Sequence, residues 1–213
     1  MNQHNETIET WNNIASLYEE RFMDLDYYNE SYDFVCESLK KPHARVLEIG
    51  CGPGNITKYF LTKKPDLDWL GTDVAPNMIA LAKKNNPTAQ FRILDARAIN
   101  QLDIQADLIV CGFCVPYLSP TECRQFFEDA SKLLTLHGML YVSFVAGDPQ
   151  LSEFKTSSGG RVYFQYHTVH SIVQYLHDSD FTLLKTFHVN YPKSETDYEE
   201  HTILVAGKNG SEK

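Results

Sequence analysis

Short apolar runs alternate with segments of helical periodicity along most of this chain of 213 residues. Between the runs, apolar residues recur at the three- and four-residue spacing of an amphipathic helix. Alternation of this kind predicts an α/β fold, in which crossover helices join the strands of a mostly parallel sheet. The strand-like runs cover 45–49, 67–72, 91–94, 107–113 and 139–146.

Helical periodicity also precedes the first strand and follows the fourth. It covers 5–22 and 29–40, and it resumes after Ser119-Pro120-Thr121-Glu122, which has the composition of a capping box with proline at the first helical position. We expect Gly138 to end this connection and the fifth strand to begin at Met139. The apolar face of the helix after Ser119 is predicted to consist of Phe126, Phe127, Ala130, Leu133 and Leu134.

The last third of the chain departs from simple alternation. A helix is predicted near 168–178, followed by strands near 181–190 and 200–207, whose link is too short for a helical crossover. These two strands should therefore pair antiparallel. Residues 147–167 read as an inserted hairpin turning at 157–160, and a hairpin there would border the sheet edge at which ligands bind in open α/β folds.

Composition favours one globular domain and excludes several classes of protein. We expect a single domain over 1–208, with 1–42 as an N-terminal helical cap, 147–167 as a lid-like insertion and 209–213 as a disordered tail. No run approaches the roughly 18 to 20 apolar residues that span a bilayer, and the N-terminus lacks a signal pattern. We therefore expect a cytoplasmic protein with no membrane partner.

Charge and cysteine content narrow the partners further. The formal net charge of −9, with lysines only in scattered pairs, disfavours a nucleic-acid partner. Five cysteines, an odd number, indicate reduced thiols. Cys111-x-x-Cys114 has no second pair of ligands beside it in the sequence, so neither a metal site nor a redox site is expected.

The segment from Val46 to Asn55 carries the most specific chemistry. A short apolar run ends in glycines at every second position, Gly50, Gly52 and Gly54, and helical spacing then resumes. A strand, a glycine-rich turn and a helix N-terminus together form a cradle for one end of a nucleoside cofactor.

The spacing of this loop does not fit a dinucleotide. The dinucleotide fingerprint requires a small residue at position 55, where this chain has Asn55, and Glu48 adds a negative charge beside the place of a pyrophosphate. A cationic, phosphate-free cofactor with its own carboxylate fits the segment better.

The pattern E-x-G-x-G-x-G resembles motif I of the class I S-adenosylmethionine-dependent methyltransferases, and the resemblance continues in order over residues 44–118. Asp73 ends the second strand, where a carboxylate can accept both ribose hydroxyls. The family implies that Val74 and Met78 pack against adenosine, and that Asp95 and Ala96 meet the adenine edge. It also implies a Rossmann-like three-layer sandwich with helices on both faces of a mostly parallel seven-stranded sheet. The strand order of that sheet is 3-2-1-4-5-7-6, with the last strand antiparallel.

The resemblance implies S-adenosylmethionine as cofactor, with S-adenosylhomocysteine as product. Tyr18 and Arg21 resemble the N-terminal segment that closes over the methionine end of the cofactor in this family, although both also fit an ordinary helix face. The expected cofactor-binding residues are Tyr18, Glu48, Gly50, Cys51, Gly52, Gly54, Asp73, Val74, Met78, Asp95, Ala96, Cys111, Gly112, Phe113 and Tyr117.

No catalytic residue is identified from the sequence, because methyl transfer from a sulfonium needs mainly alignment and exclusion of water. A base is required only for an acceptor protonated at neutral pH, and His167, His170 or Tyr166 could supply it or could be purely structural. A metal held by His167, His170 and His177 is not expected. The candidate aromatic wall for an acceptor, which also fits ordinary packing, consists of Tyr163, Phe164, Tyr166, Phe113 and Tyr117.

A small-molecule methyltransferase, monomeric or homodimeric, is the function that these features favour. Cys114-Val115-Pro116-Tyr117 lacks the Asp or Asn that usually begins the corresponding motif of enzymes methylating nucleobase or glutamine nitrogens, which disfavours that class. Two alternatives stay open: a protein or RNA methyltransferase, and a non-catalytic regulatory protein that binds the cofactor. An NAD-dependent oxidoreductase is disfavoured by Asn55 and Glu48.

Overall fold

A mixed sheet of seven strands forms the centre of the computed structural model, which describes residues 3–210. A separate two-stranded hairpin follows the fifth strand. The strands are β1 Arg45–Ile49, β2 Asp68–Asp73, β3 Gln90–Ile93, β4 Ala106–Gly112, β5 Leu134–Val145, β6 Glu153–Ser157, β7 Gly160–Phe164, β8 Phe181–Pro192 and β9 Tyr198–Lys208. The helices are α1 Gln3–Asn13, α2 Ala15–Phe22, α3 Asn29–Ser38, α4 Asn55–Lys63, α5 Pro76–Asn85, α6 Pro120–Leu133 and α7 Val169–Asp178.

The strand order of the large sheet is β3-β2-β1-β4-β5-β9-β8. β1, the strand before the glycine loop, pairs in parallel with β2 and β4, and β5 pairs in parallel with β4. β9 runs antiparallel to both β5 and β8. With β8 and β9 counted as the sixth and seventh strands of this sheet, the topology confirms the predicted fold class and strand order.

Successive residues of the central strands face opposite layers of helices, as the period of two in a strand requires. Leu47 and Ile109 pack with Phe126 and other residues of α6 and α7 on one face. Val46 and Leu108 pack on the other face with residues of α3 and α4. Both faces are therefore apolar, which explains why the central strands read as continuous apolar runs.

The predicted capping box begins α6. The Ser119 hydroxyl accepts the Glu122 amide at 3.4 Å, and the Glu122 carboxylate accepts the Ser119 amide at 2.8 Å. The apolar face predicted for this helix is buried in the core on the same side as Leu47.

Two predicted boundaries were wrong. β5 begins at Leu134, which pairs with Ala106, and the register then shifts so that regular pairing resumes at Met139. His137 has a φ of 63° within this irregular segment, so the signal of Gly138 marks a bulge and not the start of the strand. The periodic segment 5–22 is broken into α1 and α2 at Ile14.

The insertion 147–167 contains the predicted hairpin, β6 paired with β7, and the hairpin packs on α1. The Thr10 hydroxyl donates to the Arg161 carbonyl at 2.8 Å, and the Tyr163 amide donates to the Thr7 hydroxyl at 3.0 Å. Arg161 also pairs with Glu6 at 2.8 Å. The N-terminal helices and the insertion therefore form one continuous layer.

The C-terminal end is more ordered than predicted at its first residue. The Asn209 amide donates to the Asp180 carbonyl at 2.8 Å, and its side chain accepts the Thr182 hydroxyl. Gly210 is the last described residue, and the remainder of the predicted tail, from 211 onwards, lies outside the described residues. The division into a domain over 1–208 with a cap and a lid stays a prediction.

Candidate cofactor and acceptor site

A cavity of about 390 Å³ lies at the carboxyl ends of β1, β2 and β4, beneath α1 and α2. Its volume falls within the range of small-molecule sites. Its walls are His4, Thr7, Ile8, Trp11, Tyr18, Phe22, Leu25, Tyr28, Tyr32, Gly50, Cys51, Gly52, Asn55, Ile56, Asp73, Val74, Met78, Leu94, Asp95, Ala96, Gly112, Phe113, Cys114, Pro116, Tyr117, Leu118, Val145, Phe164, Tyr191, Glu199 and His201.

The glycine loop forms the floor of this cavity, and two of its glycines meet different requirements. Gly52 has a φ of 52°, and its amide donates to the Asp73 carboxylate at 2.9 Å, which ties the loop to the end of β2. Gly54 has a φ of 84°, and a side chain there would overlap Asn86, whose amide donates to the Gly54 carbonyl. Gly54 does not line the cavity, so its glycine serves the packing of the loop against α5.

The carboxylate of Asp73 is fixed in place by backbone amides. One oxygen accepts the Gly52 amide and the other accepts the Ala75 amide at 2.8 Å. Burial raises the pKa of this carboxyl, and the amide hydrogen bonds partly oppose the rise. Each oxygen keeps a lone pair that can accept a hydroxyl of a ligand.

Asp95 lies on the cavity wall, but its carboxylate is already engaged. Arg97 donates to both oxygens, and His4 lies 3.0 Å from one of them. Burial acts to raise the pKa of Asp95, but the Arg97 hydrogen bonds and charge outweigh it and hold that pKa below its usual range. Sequence reasoning missed Arg97, which lies two residues after Asp95 and whose guanidinium donates to the Asp95 carboxylate.

Three of the expected cofactor residues, Glu48, Gly54 and Cys111, do not line the cavity. Glu48 is fully buried beneath the loop, where one carboxylate oxygen accepts the Thr57 hydroxyl and the Trp69 indole N–H. Burial raises the pKa of Glu48 to about 8, although these two donors act in the opposite direction. Cys111 points into the core formed with α6.

The other expected cofactor residues all lie on the cavity wall. Tyr18 and Tyr117 approach the Trp11 ring edge to face, with ring centroids 5.6 and 5.7 Å from that of Trp11. The remaining members of this group are Gly50, Cys51, Gly52, Asp73, Val74, Met78, Asp95, Ala96, Gly112 and Phe113.

The structure places the predicted base candidates away from the cavity. His167 is buried, its ring bonds to the Leu118 carbonyl at 3.0 Å, and burial lowers its pKa. The Tyr166 hydroxyl accepts from Lys155 at 2.7 Å. His170 and Arg21 are exposed, and neither lines the cavity.

Only part of the aromatic wall predicted for an acceptor lies on the cavity. Phe113, Tyr117 and Phe164 line the cavity, whereas Tyr163 does not. Tyr163 instead packs its ring against Phe154 on the neighbouring strand of the hairpin. Among the residues that the structure describes, no three potential metal ligands form a group, and His177 is exposed.

A polar cluster that sequence reasoning missed lies at the end of the cavity beside Phe113. The Tyr28 hydroxyl is 2.8 Å from His201 Nδ1, and His201 Nε2 is 3.3 Å from the Glu199 carboxylate. The reversed direction of β9 brings Glu199 and His201 to the site, because the start of an antiparallel strand meets the ends of its parallel neighbours. His201 pairs with Val145, the last residue of β5.

The charges around the cavity favour a cationic or neutral occupant. Asp73, Asp95 and Glu199 line it, and no lysine or arginine is found on its wall within residues 3–210. Faces of Trp and Tyr rings attract cations. The donors, acceptors and charges present therefore fit a sulfonium nucleoside better than a pyrophosphate.

Comparison with known proteins agrees with the resemblance seen in the sequence. Residues 46–138 match a family model described as a methyltransferase domain. The trans-aconitate 2-methyltransferase of Methylobacterium nodulans is 39% identical over 57 residues, 27% of this chain and 22% of that protein. The malonyl-[acyl-carrier protein] O-methyltransferase of a Paenibacillus species is 34% identical over 108 residues, 47% of this chain and 38% of that protein.

A solved structure extends the likeness to the whole fold. The magnesium protoporphyrin IX methyltransferase of Synechocystis with bound S-adenosylmethionine superposes with a TM-score of 0.70 at 16% identity, covering 98% of each chain. The chain spans about half or less of the length of the curated relatives it matches. No described helix is long and apolar enough to cross a membrane.

Proposed function

We propose that this chain, which belongs to the S-adenosylmethionine-dependent methyltransferase family of class I fold, transfers a methyl group from that cofactor to a small-molecule acceptor. The observation that carries the proposal is the position of the Asp73 carboxylate, which two backbone amides hold above the glycine loop. No lysine or arginine among residues 3–210 lies on the wall of the same cavity. A cytoplasmic location and a monomeric or homodimeric state are further expectations from the sequence.

Each wall of the cavity has a role in this proposal. Asp73 would hold the ribose hydroxyls, Val74 and Met78 would pack on the nucleoside, and Ala96 would offer its backbone amide at the adenine end. Because Arg97 and His4 occupy the Asp95 carboxylate, we propose that Asp95 shapes the adenine pocket through this ion pair and serves less as an acceptor for the base.

The bound cofactor would supply an activated methyl group, and the chain would supply alignment and a dry environment. Trp11 of α1 and Tyr18 of α2 would close the cavity from one side, and Tyr117, which follows β4, packs against Trp11. The size of the cavity and its cover by α1 and the hairpin support a small acceptor. The names of the matched relatives, a trans-aconitate and a malonyl-carrier methyltransferase, agree with this class.

Calorimetric titration tests the proposal directly. The protein should bind S-adenosylmethionine and S-adenosylhomocysteine and should not bind NAD. Asp73→Asn should weaken binding about 10- to 100-fold, because a hydrogen-bonding charge is lost. Asp68→Asn, an exposed change at the start of the same strand, is the matched control. Unchanged affinity in Asp73→Asn would refute this placement of the ribose, and binding of NAD alone would refute the function.

A further inference from the structure

A directed hydrogen-bond chain reaches the cavity from Glu199. Its members are the Glu199 carboxylate, the His201 imidazole and the Tyr28 hydroxyl, joined at 3.3 and 2.8 Å. All three residues line the cavity, although Tyr28 and His201 are themselves largely buried.

The Glu199 carboxylate sets the donor–acceptor direction of these hydrogen bonds. The hydrogen bond to His201 lowers the pKa of Glu199 to about 2, against the effect of burial, and the charges of Lys193 and Lys155 add to this. Glu199 is therefore ionised and only accepts, so His201 Nε2 must carry a proton. In the neutral imidazole Nδ1 is then the acceptor, and the Tyr28 hydroxyl donates to it.

Aromatic contacts hold this chain in one geometry. The Tyr191 ring stacks on His201 with centroids 4.9 Å apart, and Phe113 meets the imidazole edge to face at 4.8 Å. Phe113 directly follows β4 and also contacts the Tyr28 ring at 5.4 Å. The hydrogen-bond chain thus ends beside the carboxyl edge of the central strand β4.

We propose that Tyr28 is the base for a hydroxyl-bearing acceptor, with His201 and Glu199 as the positioning residues that take up and stabilise the proton. The inference rests on the proposed function and adds the class of acceptor.

The proton and electron balance of the step closes within the site. The acceptor O–H proton passes to the Tyr28 oxygen while the Tyr28 proton passes to His201 Nδ1, which leaves an imidazolium beside the Glu199 carboxylate. The acceptor oxygen would take the methyl carbon from the bound cofactor, and the electron pair of the broken C–S bond would stay on sulfur. The products are a methyl ether, a neutral thioether and one protonated histidine.

The charges on the cavity wall favour an acceptor with a hydroxyl group over an acceptor with a carboxylate. A carboxylate has no proton to remove at neutral pH and would bring a negative charge towards Glu199. No lysine or arginine among residues 3–210 lines the cavity to neutralise it, and Lys155 and Lys193, whose charges act on Glu199, are not on its wall. A neutral aromatic hydroxyl suits the rings of Tyr28, Phe113 and Tyr191.

The proton positions can be tested without cofactor or acceptor. Nitrogen-15 NMR of His201 should show the Nε2–H form of the neutral imidazole in the wild type, and Glu199→Gln should weaken this preference. A wild-type imidazole protonated at Nδ1 alone would overturn the proposal.

Methyl transfer tests the base. With phenol and 4-nitrophenol as probes, Tyr28→Phe should lower the rate on phenol about 100-fold. Relative to the wild type on the same probe, it should lower the rate much less on 4-nitrophenol at an alkaline pH, where this stronger acid is largely ionised and needs no base. Tyr27→Phe, at the exposed neighbouring tyrosine, should match the wild type. Equal rates in Tyr28→Phe and wild type, or methylation of trans-aconitate and neither phenol, would overturn the proposal.

The two proposals fail in different ways. Tyr28→Phe should still bind S-adenosylmethionine in calorimetry, because the hydroxyl that it removes is bonded to His201. If the wild-type protein does not bind this cofactor, the proposed function is refuted. The NMR measurement then still decides which nitrogen of His201 carries the proton.

Discussion

Burial decides the charge of Glu48, the acidic residue two positions before the glycine floor. Its pKa is raised to about 8 from 4.5, so the folded protein holds a proton there that the unfolded chain has lost. The contribution of Glu48 to stability is therefore full below about pH 4.5 and falls as the pH rises towards 8. Glu48→Gln mimics the protonated side chain and should be more stable than the wild type at pH 8, by at least about 1 kcal/mol.

Urea unfolding of the cofactor-free protein between pH 5 and pH 8 (roughly the window of this titration) measures this effect. The difference between Glu48→Gln and wild type should grow with pH. Glu37→Gln, at an exposed position on α3, provides the control and should follow the wild type throughout. Parallel stability curves for Glu48→Gln and wild type would show that Glu48 is ionised in the fold.

Single residues also show how far the sequence could predict the site. Asp73 was found because a motif fixes its distance from the glycine loop, and the structure places it on the cavity wall. Glu48 belongs to the same motif, but the strand period directs it into the core. His201 could not be found, since its place depends on the pairing of β9 with β5, a contact between residues far apart in the chain.

At the scale of elements, the contact between α1 and the hairpin depends on a few polar groups. The Tyr163 amide of β7 donates to the Thr7 hydroxyl of α1, and a buried donor without an acceptor is costly. Thr7→Val keeps the shape and removes that acceptor. It should speed amide hydrogen exchange in peptides covering 153–164 several-fold, while exchange in β4 stays unchanged.

Thr62→Val, on an exposed face of α4, is the matched control because its hydroxyl donates to the Lys58 carbonyl of its own helix. Equal exchange in the hairpin of Thr7→Val and wild type would show that α1 does not hold this element.

Two element boundaries could not be predicted from the sequence because they depend on tertiary contacts. The break at Ile14 and the early start of β5 arise where other elements pack, and local periodicity does not record such contacts.

At the scale of the molecule, one cavity joins parts that are distant in sequence. Tyr18 of α2, Gly52 of the loop, Phe164 of the hairpin and His201 of β9 all line it. A ligand that fills the cavity contacts all of these parts at once and binds only when they are assembled. Its binding free energy is therefore added to the free energy of unfolding of the whole fold.

S-adenosylhomocysteine at 100 times its dissociation constant should stabilise the wild type by about 2.7 kcal/mol. For a chain of this length this corresponds to a rise of roughly 5–10 °C in Tm, measurable by scanning calorimetry. Asp73→Asn at the same ligand concentration should gain about half of that shift or less, because its affinity is lower. Hydrogen exchange in the same samples should slow in α1, α2 and the hairpin together. Protection confined to the glycine loop would mean that these elements do not close on the ligand.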